Sequence, residues 1–336
     1  MKHKILVGSL LITVLVTMAV GCQSKQSTKS QPIQPVKSVQ LTKDFKFNKK
    51  KTAYYVEGLQ GEKDSPISVP NAYYYTYGMQ AFERDIKKSY KTKLVSFIKA
   101  SQQKDGGFGW DKHATSSDTF DTFCAVWALK RINALSQIDT SKVEEFIASC
   151  KNDDGGFAFA PGQGSTLPHT NYCIATLDML GKSSAIDRSA VIGYINGLKA
   201  AQGGYAVRKG AVANAKSTYA ALRALEALNA LDTGDKAKTV SFLEKVQSRD
   251  GGYGYMVGEK IAPVPENTFY VLSSFRILNA IDKVKPASLS KFLRDRYTFD
   301  GGFCDVYSGN SQYPTTYYGV GSLVSLGLLR DPEARD

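Results

Sequence analysis

The sequence predicts an all-α fold in which about five to six helical hairpins close into an α/α toroid. Three observations support this prediction. A glycine pair followed by an aromatic residue recurs at a nearly constant spacing, an amphipathic helical pattern precedes most of these pairs, and a more apolar helical pattern follows each of them. A steady period of this length is typical of one supersecondary unit repeated along the chain.

The glycine pairs predict where each hairpin turns. Successive pairs begin 49, 48, 48 and 50 residues apart. Glycine tolerates the left-handed conformation that ends a helix, so we expect each pair to stop one helix and the following aromatic ring to pack between two helices. An Asp precedes four of the five pairs, where its side chain is able to accept hydrogen bonds from nearby backbone N–H groups. The five copies are Gly106-Gly107-Phe108, Gly155-Gly156-Phe157, Gly203-Gly204-Tyr205, Gly251-Gly252-Tyr253 and Gly301-Gly302-Phe303.

The two helices of each hairpin differ in their apolar pattern. The helix before a glycine pair has a charged face, as in residues 142–150, whereas the helix after the loop is apolar on nearly all sides, as in residues 219–231. A helix that is apolar all round must be buried. We therefore expect the second helices to form an inner ring and the first helices to form an outer ring. The Tyr-rich stretch 72–82 predicts a sixth inner helix, whose preceding loop lacks the glycine pair.

The first 21 residues predict a secretory signal peptide, since Lys2 and Lys4 precede an uncharged apolar stretch that ends at Val20. The sequence Ala-Val-Gly-Cys at 19–22 resembles a bacterial lipobox. This resemblance implies that Cys22 is lipidated and that the protein is anchored to the outer face of the cytoplasmic membrane. An ordinary secretory signal or an uncleaved anchor is the alternative.

The sequence predicts a flexible basic tether at residues 22–51 and the toroid domain at residues 52–336. The tether is rich in Ser, Gln, Thr, Pro and Lys and has too few apolar residues to fold. It carries +7 of the formal charge of +12, and the signal peptide carries +2, so the folded domain keeps only +3. The basic charge therefore favours contact of the tether with anionic lipid headgroups and does not indicate nucleic acid binding. Most of the four cysteines beyond Cys22 are expected to be free and buried.

The repeated unit is most complete at 102–109, Gln-Gln-Lys-Asp-Gly-Gly-Phe-Gly, and at 247–254, Gln-Ser-Arg-Asp-Gly-Gly-Tyr-Gly. It resembles the repeat of the prenyltransferase and squalene-cyclase (terpenoid cyclase) superfamily, and the resemblance covers about residues 70 to 330. The resemblance implies an α/α toroid with a hydrophobic central cavity. Because one fold serves many functions, the chemistry must be sought in individual residues.

The starts of the inner helices are expected to surround the mouth of the cavity. When the repeats are aligned on the first aromatic residue of each inner helix, Asp121, His169, Lys216, Glu266 and Pro314 occupy equivalent positions. Four of the five are polar and differ from one another, which favours a functional site over a shared structural role. Helix capping and solvated helix starts are the alternative interpretation.

Two of these positions resemble the zinc site of the prenyltransferases. In that family the ligands are an Asp and a Cys in an Asp-x-Cys-Tyr sequence and a His one repeat later. Here Asp-Thr-Phe-Cys at 121–124 is followed 48 residues later by His-Thr-Asn-Tyr-Cys at 169–173. Phe123 stands at the thiolate position, and Cys124 is the next residue. The resemblance implies a zinc site of Asp121, Cys124 and His169 in shifted geometry; buried free thiols and a rim histidine are the alternative.

The same segment resembles the Asp-x-Asp-Asp-Thr motif of class II terpene cyclases, whose middle acid is the proton donor. The sequence Asp-Thr-Phe-Asp-Thr at 118–122 keeps the outer aspartates and has Phe120 in the middle. Asp118 and Asp121, as a carboxyl pair in which proximity raises one pKa, are therefore candidate catalytic residues together with His169. Two solvated loop acids are the alternative. Asp118 also stands where prenyltransferases place a diphosphate-binding cation, and a carboxylate there repels that group.

Aromatic residues crowd the first turns of the inner helices, and Tyr outnumbers Phe among them. Such rings and hydroxyls suit an isoprenoid chain, a cation or a sugar ring. We expect Tyr172, Tyr219 and Tyr317 to bind a ligand together with Lys216 and Glu266. The leading hypothesis is a prenyltransferase-like or terpene-cyclase-like protein that acts on or binds an isoprenoid or other lipid-like ligand. The alternatives are a non-catalytic scaffold lipoprotein and a polysaccharide-active toroid enzyme, and the sequence implies no particular protein partner.

Overall fold

The computed structural model describes residues 38–59, 68–231, 235–258, 263–306 and 309–333, which contain twelve α-helices and one short β-hairpin. In chain order the helices are α1 (Lys49–Gly58), α2 (Val69–Ala81), α3 (Lys88–Ala100), α4 (Thr119–Arg131), α5 (Thr140–Ser149), α6 (Leu167–Met179), α7 (Arg188–Asn196), α8 (Ala215–Ala227), α9 (Lys236–Lys245), α10 (Pro265–Ile277), α11 (Pro286–Arg296) and α12 (Tyr313–Ser325). The hairpin pairs β1 (Tyr205–Ala206) with β2 (Ala213–Asn214) in antiparallel register. The helical content confirms the all-α prediction.

The six even-numbered helices form a closed inner ring. Each of them has 13 residues and packs against the next, and α12 packs against α2. The inner helix α4 buries ten of its residues, whereas the outer helix α5 buries only Val143, Phe146 and Ile147. This contrast follows from the apolar patterns of the two helix types. The α/α toroid is confirmed, and α2 is the predicted sixth inner helix.

The outer helix α1 begins inside the segment predicted as a tether, so that prediction is wrong for residues 38–51. The Val39 N–H donates to the Leu326 carbonyl at 3.0 Å, and the Phe45 ring is buried 5.8 Å from the Tyr297 ring. The reason for the error is that α1 starts with three lysines and buries only three residues, which leaves too sparse an apolar pattern to indicate a helix.

The N-terminal predictions lie outside the described residues. The signal peptide, the lipidation of Cys22 and the tether up to residue 37 therefore remain predictions. Within the described ranges, no helix combines the length and the apolar character required to cross a bilayer. The cysteines at 124, 150, 173 and 304 are free and buried, as predicted.

The glycine pairs hold the outer helices together around the ring. The first glycine of every pair has φ between +85° and +103°, which confirms the predicted left-handed turn. Each pair also lies against the next outer helix: a Cβ on Gly251 would stand 1.9 Å from the Ser288 carbonyl oxygen of α11, and one on Gly252 would stand 2.5 Å from the Phe292 ring. The fifth pair makes the same approach to α1, with a Cβ of Gly301 2.9 Å from the Lys51 backbone. The pairs are therefore required by both conformation and packing.

Hydrogen bonds tie each turn to the inner helix that follows it. In four copies the Asp side chain accepts from the N–H of the second glycine at 2.9 to 3.2 Å, as predicted. In all five copies the N–H of the buried aromatic residue donates to a threonine hydroxyl at 3.0 to 3.2 Å. Each threonine lies four residues after the N-cap of its helix and fixes the rotation of that helix about its axis. These threonines, which the repeat pattern alone does not single out, are Thr122, Thr170, Thr218, Thr268 and Thr316.

Five crossing loops connect the aromatic residues to the inner helices, at 108–118, 157–166, 205–214, 253–264 and 303–312. Four of them also cap the inner helix of the preceding hairpin. The carbonyls of Trp110, Phe159, Val207 and Tyr255 accept from the first N–H of α2, α4, α6 and α8, respectively, at 2.8 to 3.0 Å. Such N–H groups have no partner within their own helix. The crossing loops therefore lie around the N-terminal ends of the inner helices.

The close approach of the glycine pairs predicts a large cost for a small substitution. Gly251→Ala should lower the free energy of unfolding by about 3 kcal/mol or more, because the methyl group meets a backbone carbonyl as well as a left-handed φ. Gly162→Ala is the matched control, since Gly162 has φ of +79° with no atom within 4 Å of the added Cβ. It should cost only about 1 to 2 kcal/mol. Urea denaturation of both variants measures the difference, and equal losses would show that the packing contact is unimportant.

Candidate functional site

The helix caps correct the alignment of the candidate site residues. Counted from the N-cap, Asp121 and His169 occupy the third position, together with Ser217, Asn267 and Thr315. Lys216, Glu266 and Pro314 occupy the second position, one residue earlier. The predicted equivalence of all five residues is therefore wrong. Asp121 precedes its aromatic residue by two positions and the other four candidates precede theirs by three, and Tyr172 stands one position later in its helix than the other aromatic residues.

Asp118 and Asp121 form a carboxyl pair at the start of α4. The Asp118 Oδ1 accepts from the backbone N–H groups of Phe120 and Asp121, both at 2.8 Å, and thereby caps the helix. The Asp121 side chain is only 3% exposed and is hydrogen-bonded to that of Asp118. Asp121 is thus not a solvated loop acid, whereas Asp118 has the capping role that the alternative interpretation expects.

The environment separates the protonation states of the two carboxyl groups. Burial and, to a smaller extent, the negative charge of Asp118 raise the pKa of Asp121 to about 8. Burial also raises the pKa of Asp118, but the hydrogen bonds it accepts oppose the rise. At neutral pH Asp121 therefore keeps its proton and donates it to the Asp118 carboxylate. A buried carboxylic acid of this kind can serve as a hydrogen-bond donor or as a general acid.

His169 lies beside the pair as a neutral imidazole. Its Nδ1 is 2.9 Å from the Thr119 hydroxyl, and its ring makes edge contacts with Phe159 and Tyr172. Burial and, to a smaller extent, the charge of Lys216 lower the pKa of His169 to about 4. The structure therefore brings His169 close to α4 through Thr119, as a neutral imidazole that keeps one N–H at neutral pH.

The predicted zinc ligands are not assembled into a metal site. No group of three or more His, Cys, Asp and Glu side chains in the described ranges is placed to hold a metal ion. Cys124 is fully buried, and burial raises the pKa of its thiol, as do the charges of Asp121 and Asp118. Because the described residues contain no such group, Asp121, Cys124 and His169 do not form the zinc site that the resemblance implies.

Lys216 and Glu266 come together on the other side of the mouth. The Lys216 Nζ is 3.4 Å from the Glu266 Oε1, and that oxygen also accepts from the hydroxyls of Tyr270 at 2.9 Å and Tyr318 at 3.3 Å. The Lys216 charge lies 5.7 Å from the centre of the Tyr270 ring. The two residues therefore neutralise each other within a hydrogen-bonded network.

A small aromatic cavity lies at the centre of the inner ring, with a volume of about 50 Å³. Tyr172, Tyr219 and Tyr317 line it, as expected for ligand-binding residues, and the Tyr317 hydroxyl is hydrogen-bonded to that of Tyr73. Sites for drug-sized ligands occupy about 300 Å³ or more. A long ligand therefore requires ring rotations or an opening. The full lining is Tyr73, Tyr74, Phe120, Phe123, Asn171, Tyr172, Ala175, Tyr219, Arg223, Phe269, Tyr270, Tyr317, Tyr318 and Glu333.

The C-terminal segment contributes to this lining through Glu333. Its carboxylate is 2.7 Å from the Arg223 guanidinium of α8, and Asp331 is 2.7 Å from Arg276 of α10. No local sequence pattern indicates these four residues, because each ion pair joins an inner helix to the C-terminal segment, which is distant in sequence. These ion pairs hold the segment against the cavity.

The protonated state of Asp121 predicts a particular pH dependence of stability. The folded chain holds the extra proton between about pH 4, where a free Asp titrates, and about pH 8. Stability should therefore fall as the pH rises through this window, by up to about 1.4 kcal/mol per pH unit. The side chain of Asp121→Asn does not titrate. The free energy of unfolding of this variant, measured by urea denaturation relative to the wild type, should therefore rise between pH 5 and pH 8.

A second variant checks the role of the neighbouring charge. Asp118→Asn removes the negative charge that helps to raise the pKa of Asp121, so the fall in stability should begin at the same pH, near 4, and end at a lower pH than in the wild type. The assignment of the proton to Asp121 would be contradicted if the free energies of unfolding of Asp121→Asn and the wild type differed by the same amount at every pH.

Comparisons with known proteins agree with this architecture. The prenyltransferase alpha-alpha toroid domain model matches residues 9–170 and 165–336. The geranylgeranyl transferase type-2 subunit beta of Candida albicans is 34% identical over 92 residues, which span 27% of this chain and 27% of that relative. The chain thus matches only about a quarter of that curated relative's length.

Two solved structures superpose on most of the chain. Candida albicans protein geranylgeranyltransferase-I complexed with GGPP has a TM-score of 0.71 at 15% identity, over 84% of this chain and 93% of that chain. A type II terpene cyclase from Scytonema, in complex with geranylgeranyl dihydroxybenzoate, has a TM-score of 0.60 at 12% identity, over 83% of this chain and 96% of that chain. At these identities the likeness shows the fold. With the family model matching both halves of the sequence, the chain belongs to the prenyltransferase alpha-alpha toroid domain family.

Proposed function

We propose that this protein binds an isoprenoid or similar lipid-like ligand in the central cavity, with the polar end of the ligand at the mouth. The observation that carries the proposal is the cavity at the centre of the inner ring, which is lined by aromatic rings and tyrosine hydroxyls, with the buried Asp121 on the same helix as the lining residues Phe120 and Phe123. Aromatic faces suit the apolar, unsaturated chain. The lining hydroxyls supply directed hydrogen bonds to its polar end.

The charges near the cavity favour an uncharged polar end, such as a hydroxyl. Asp118 carries the negative charge of the carboxyl pair, and the Lys216 charge is paired with Glu266. Arg223, the cation within the described lining, is paired with Glu333. A diphosphate requires unpaired cations to stabilise its charge. The described lining therefore suits an isoprenoid alcohol better than an isoprenoid diphosphate.

The structural neighbours and the N-terminal sequence support the ligand class and the location. One neighbour is complexed with GGPP and another with geranylgeranyl dihydroxybenzoate, so the same fold holds isoprenoid ligands in those proteins. The apolar stretch before Cys22 supports a lipoprotein anchored to the outer face of the cytoplasmic membrane. We therefore propose that the ligand is taken from, or held next to, that membrane.

A second candidate function is acid catalysis on the bound ligand, which the protonation of Asp121 favours. Asp121 would act as the general acid, and the Asp118 carboxylate would orient its proton. A pKa of about 8 makes Asp121 a weak acid, which suits proton donation to an oxygen atom better than to an isolated alkene. A non-catalytic binding protein keeps the same ligand and shows no turnover.

Ligand binding by the purified full chain tests the proposal. Extraction and mass spectrometry should identify a polyprenyl compound, and titration should show geranylgeraniol binding at least tenfold more tightly than its diphosphate. Tyr172→Ala should weaken binding about tenfold, because it removes aromatic contact area from the lining. Tyr313→Ala is the control, since the Tyr313 hydroxyl bonds to the Leu59 carbonyl outside the described lining.

Two outcomes would overturn the proposal. Recovery of an oligosaccharide would favour a polysaccharide-active toroid, and failure of both isoprenoids to bind a folded chain would exclude the ligand class. Asp121→Asn separates the two candidate functions: loss of turnover with retained binding indicates catalysis, whereas weaker binding without any turnover in the wild type indicates a binding protein.

A further inference from the structure

We propose that the mouth of the toroid docks on an anionic lipid surface through the tips of the crossing loops. Among the described residues, seven large hydrophobic side chains are exposed, and five of them lie on crossing loops. These five, here called the apolar rim, are Trp110, Phe159, Val212, Val257 and Val306, with exposed fractions from 40% to 64%. Each of the five crossing loops contributes one of them. A chance scatter of surface hydrophobic residues has no such regularity.

The hydrogen bonds of the crossing loops place this rim around the cavity mouth. The backbone carbonyls of Trp110 and Phe159 themselves accept from the first N–H groups of α2 and α4. The third and fourth loops make the same contact through Val207 and Tyr255. The five apolar side chains therefore belong to segments that encircle one end of the inner ring, and they are able to meet a single flat surface together.

On the described parts of the crossing loops the exposed side chains with fixed charge are cationic, whereas the carboxylates are half-buried, and this arrangement favours an anionic surface. The exposed ionisable side chains there are Lys112, His113, Arg208 and Lys209, all of them basic types. The two acids near the loop tips are half-buried and engaged: Asp111 accepts from the His113 N–H at 2.7 Å and Asp305 from the Thr315 hydroxyl at 2.9 Å. Asp118 is also half-buried, as the cap of α4.

Separate apolar tips interspersed with cations fit a bilayer interface better than a protein partner. Interfacial segments bury aromatic and aliphatic side chains just below the headgroups while Lys and Arg contact anionic lipids. A stable protein interface instead needs a continuous, well-packed apolar centre, and here the cavity mouth occupies the centre of the rim. Docking also brings that mouth to the lipid, so an isoprenoid could enter without crossing water; this last step rests on the proposed function, whereas docking does not.

Trp110 provides a direct probe of docking. The chain has two tryptophans, and Trp110 is 56% exposed whereas Trp127 is 2% exposed. Addition of equimolar phosphatidylglycerol and phosphatidylcholine vesicles to the full chain should shift the emission to shorter wavelength, and brominated lipids should quench it. Trp110→Phe should remove the quenching. Because the basic N-terminal segment binds anionic vesicles by itself, the quenching of Trp110, and not co-sedimentation, is the deciding measurement.

Paired variants separate the rim from general charge and hydrophobicity. The double substitution Arg208→Glu and Lys209→Glu should weaken the quenching-derived affinity about tenfold or more. The double substitution Lys87→Glu and Lys88→Glu makes the same change in net charge at exposed positions outside the crossing loops. It should change the logarithm of the quenching-derived affinity by less than half as much. Phe159→Ser should weaken quenching, whereas Phe299→Ser, at an 88% exposed ring outside the crossing loops, should not.

The proposal is overturned if the chain binds the vesicles while Trp110 stays unquenched. It is also overturned if the rim variants change the oligomeric state and leave quenching intact, since the rim would then be a protein interface. Binding of geranylgeraniol in detergent solution should be the same in the wild type and in the rim variants. Failure of docking and failure of the proposed ligand are therefore measured independently.

Discussion

The structure depends on the contact between each glycine pair and the outer helix of the next hairpin. A single hairpin cannot bury the apolar faces of its inner helix, so neighbouring hairpins must approach one another closely. The glycine pairs permit this approach at every step, and Gly301 makes it against α1 to close the ring. The aromatic residue and its threonine bond then fix how far each inner helix is rotated. One turn per repeat thus determines both how closely the outer helices pack and how each inner helix is rotated about its axis.

The rotation of the inner helices determines which side chains are buried at their N-terminal ends. With the Phe108 N–H held by Thr122, the preceding residue of α4 is Asp121, and its side chain is turned into a buried site beside Asp118. Burial and the neighbouring charge then keep Asp121 protonated. On the opposite side of the inner ring, the Glu266 carboxylate pairs with the Lys216 charge. The same architecture that serves packing therefore places a protonated carboxyl group and a neutralised lysine at the starts of the inner helices.

The sequence predicts the architecture well because the repeat is local. The left-handed glycines, the capping aspartates, the six inner helices and the buried thiols all depend on patterns within about 15 residues. The errors concern relations between distant segments. The Lys-rich α1 carries no strong pattern of its own and is held by contacts with α2 and with Tyr297. The candidate zinc ligands are not grouped in the described residues, because residue spacing says nothing about Thr119, which holds His169. The Arg223–Glu333 pair has no sequence signal for the same reason.

Closure of the ring by α1 has a consequence for how the chain reaches its native state. The Thr52 and Tyr297 hydroxyls meet at 3.0 Å although 245 residues separate them. An open solenoid can add repeats one after another, and each is stable once its neighbour is present. Here α1 packs on α2 but meets its second neighbour only when the last repeat has been made, so the seam between the first and last repeats stays open until that repeat has been synthesised. Contacts between residues so far apart in sequence slow folding and prolong the exposure of aggregation-prone surface.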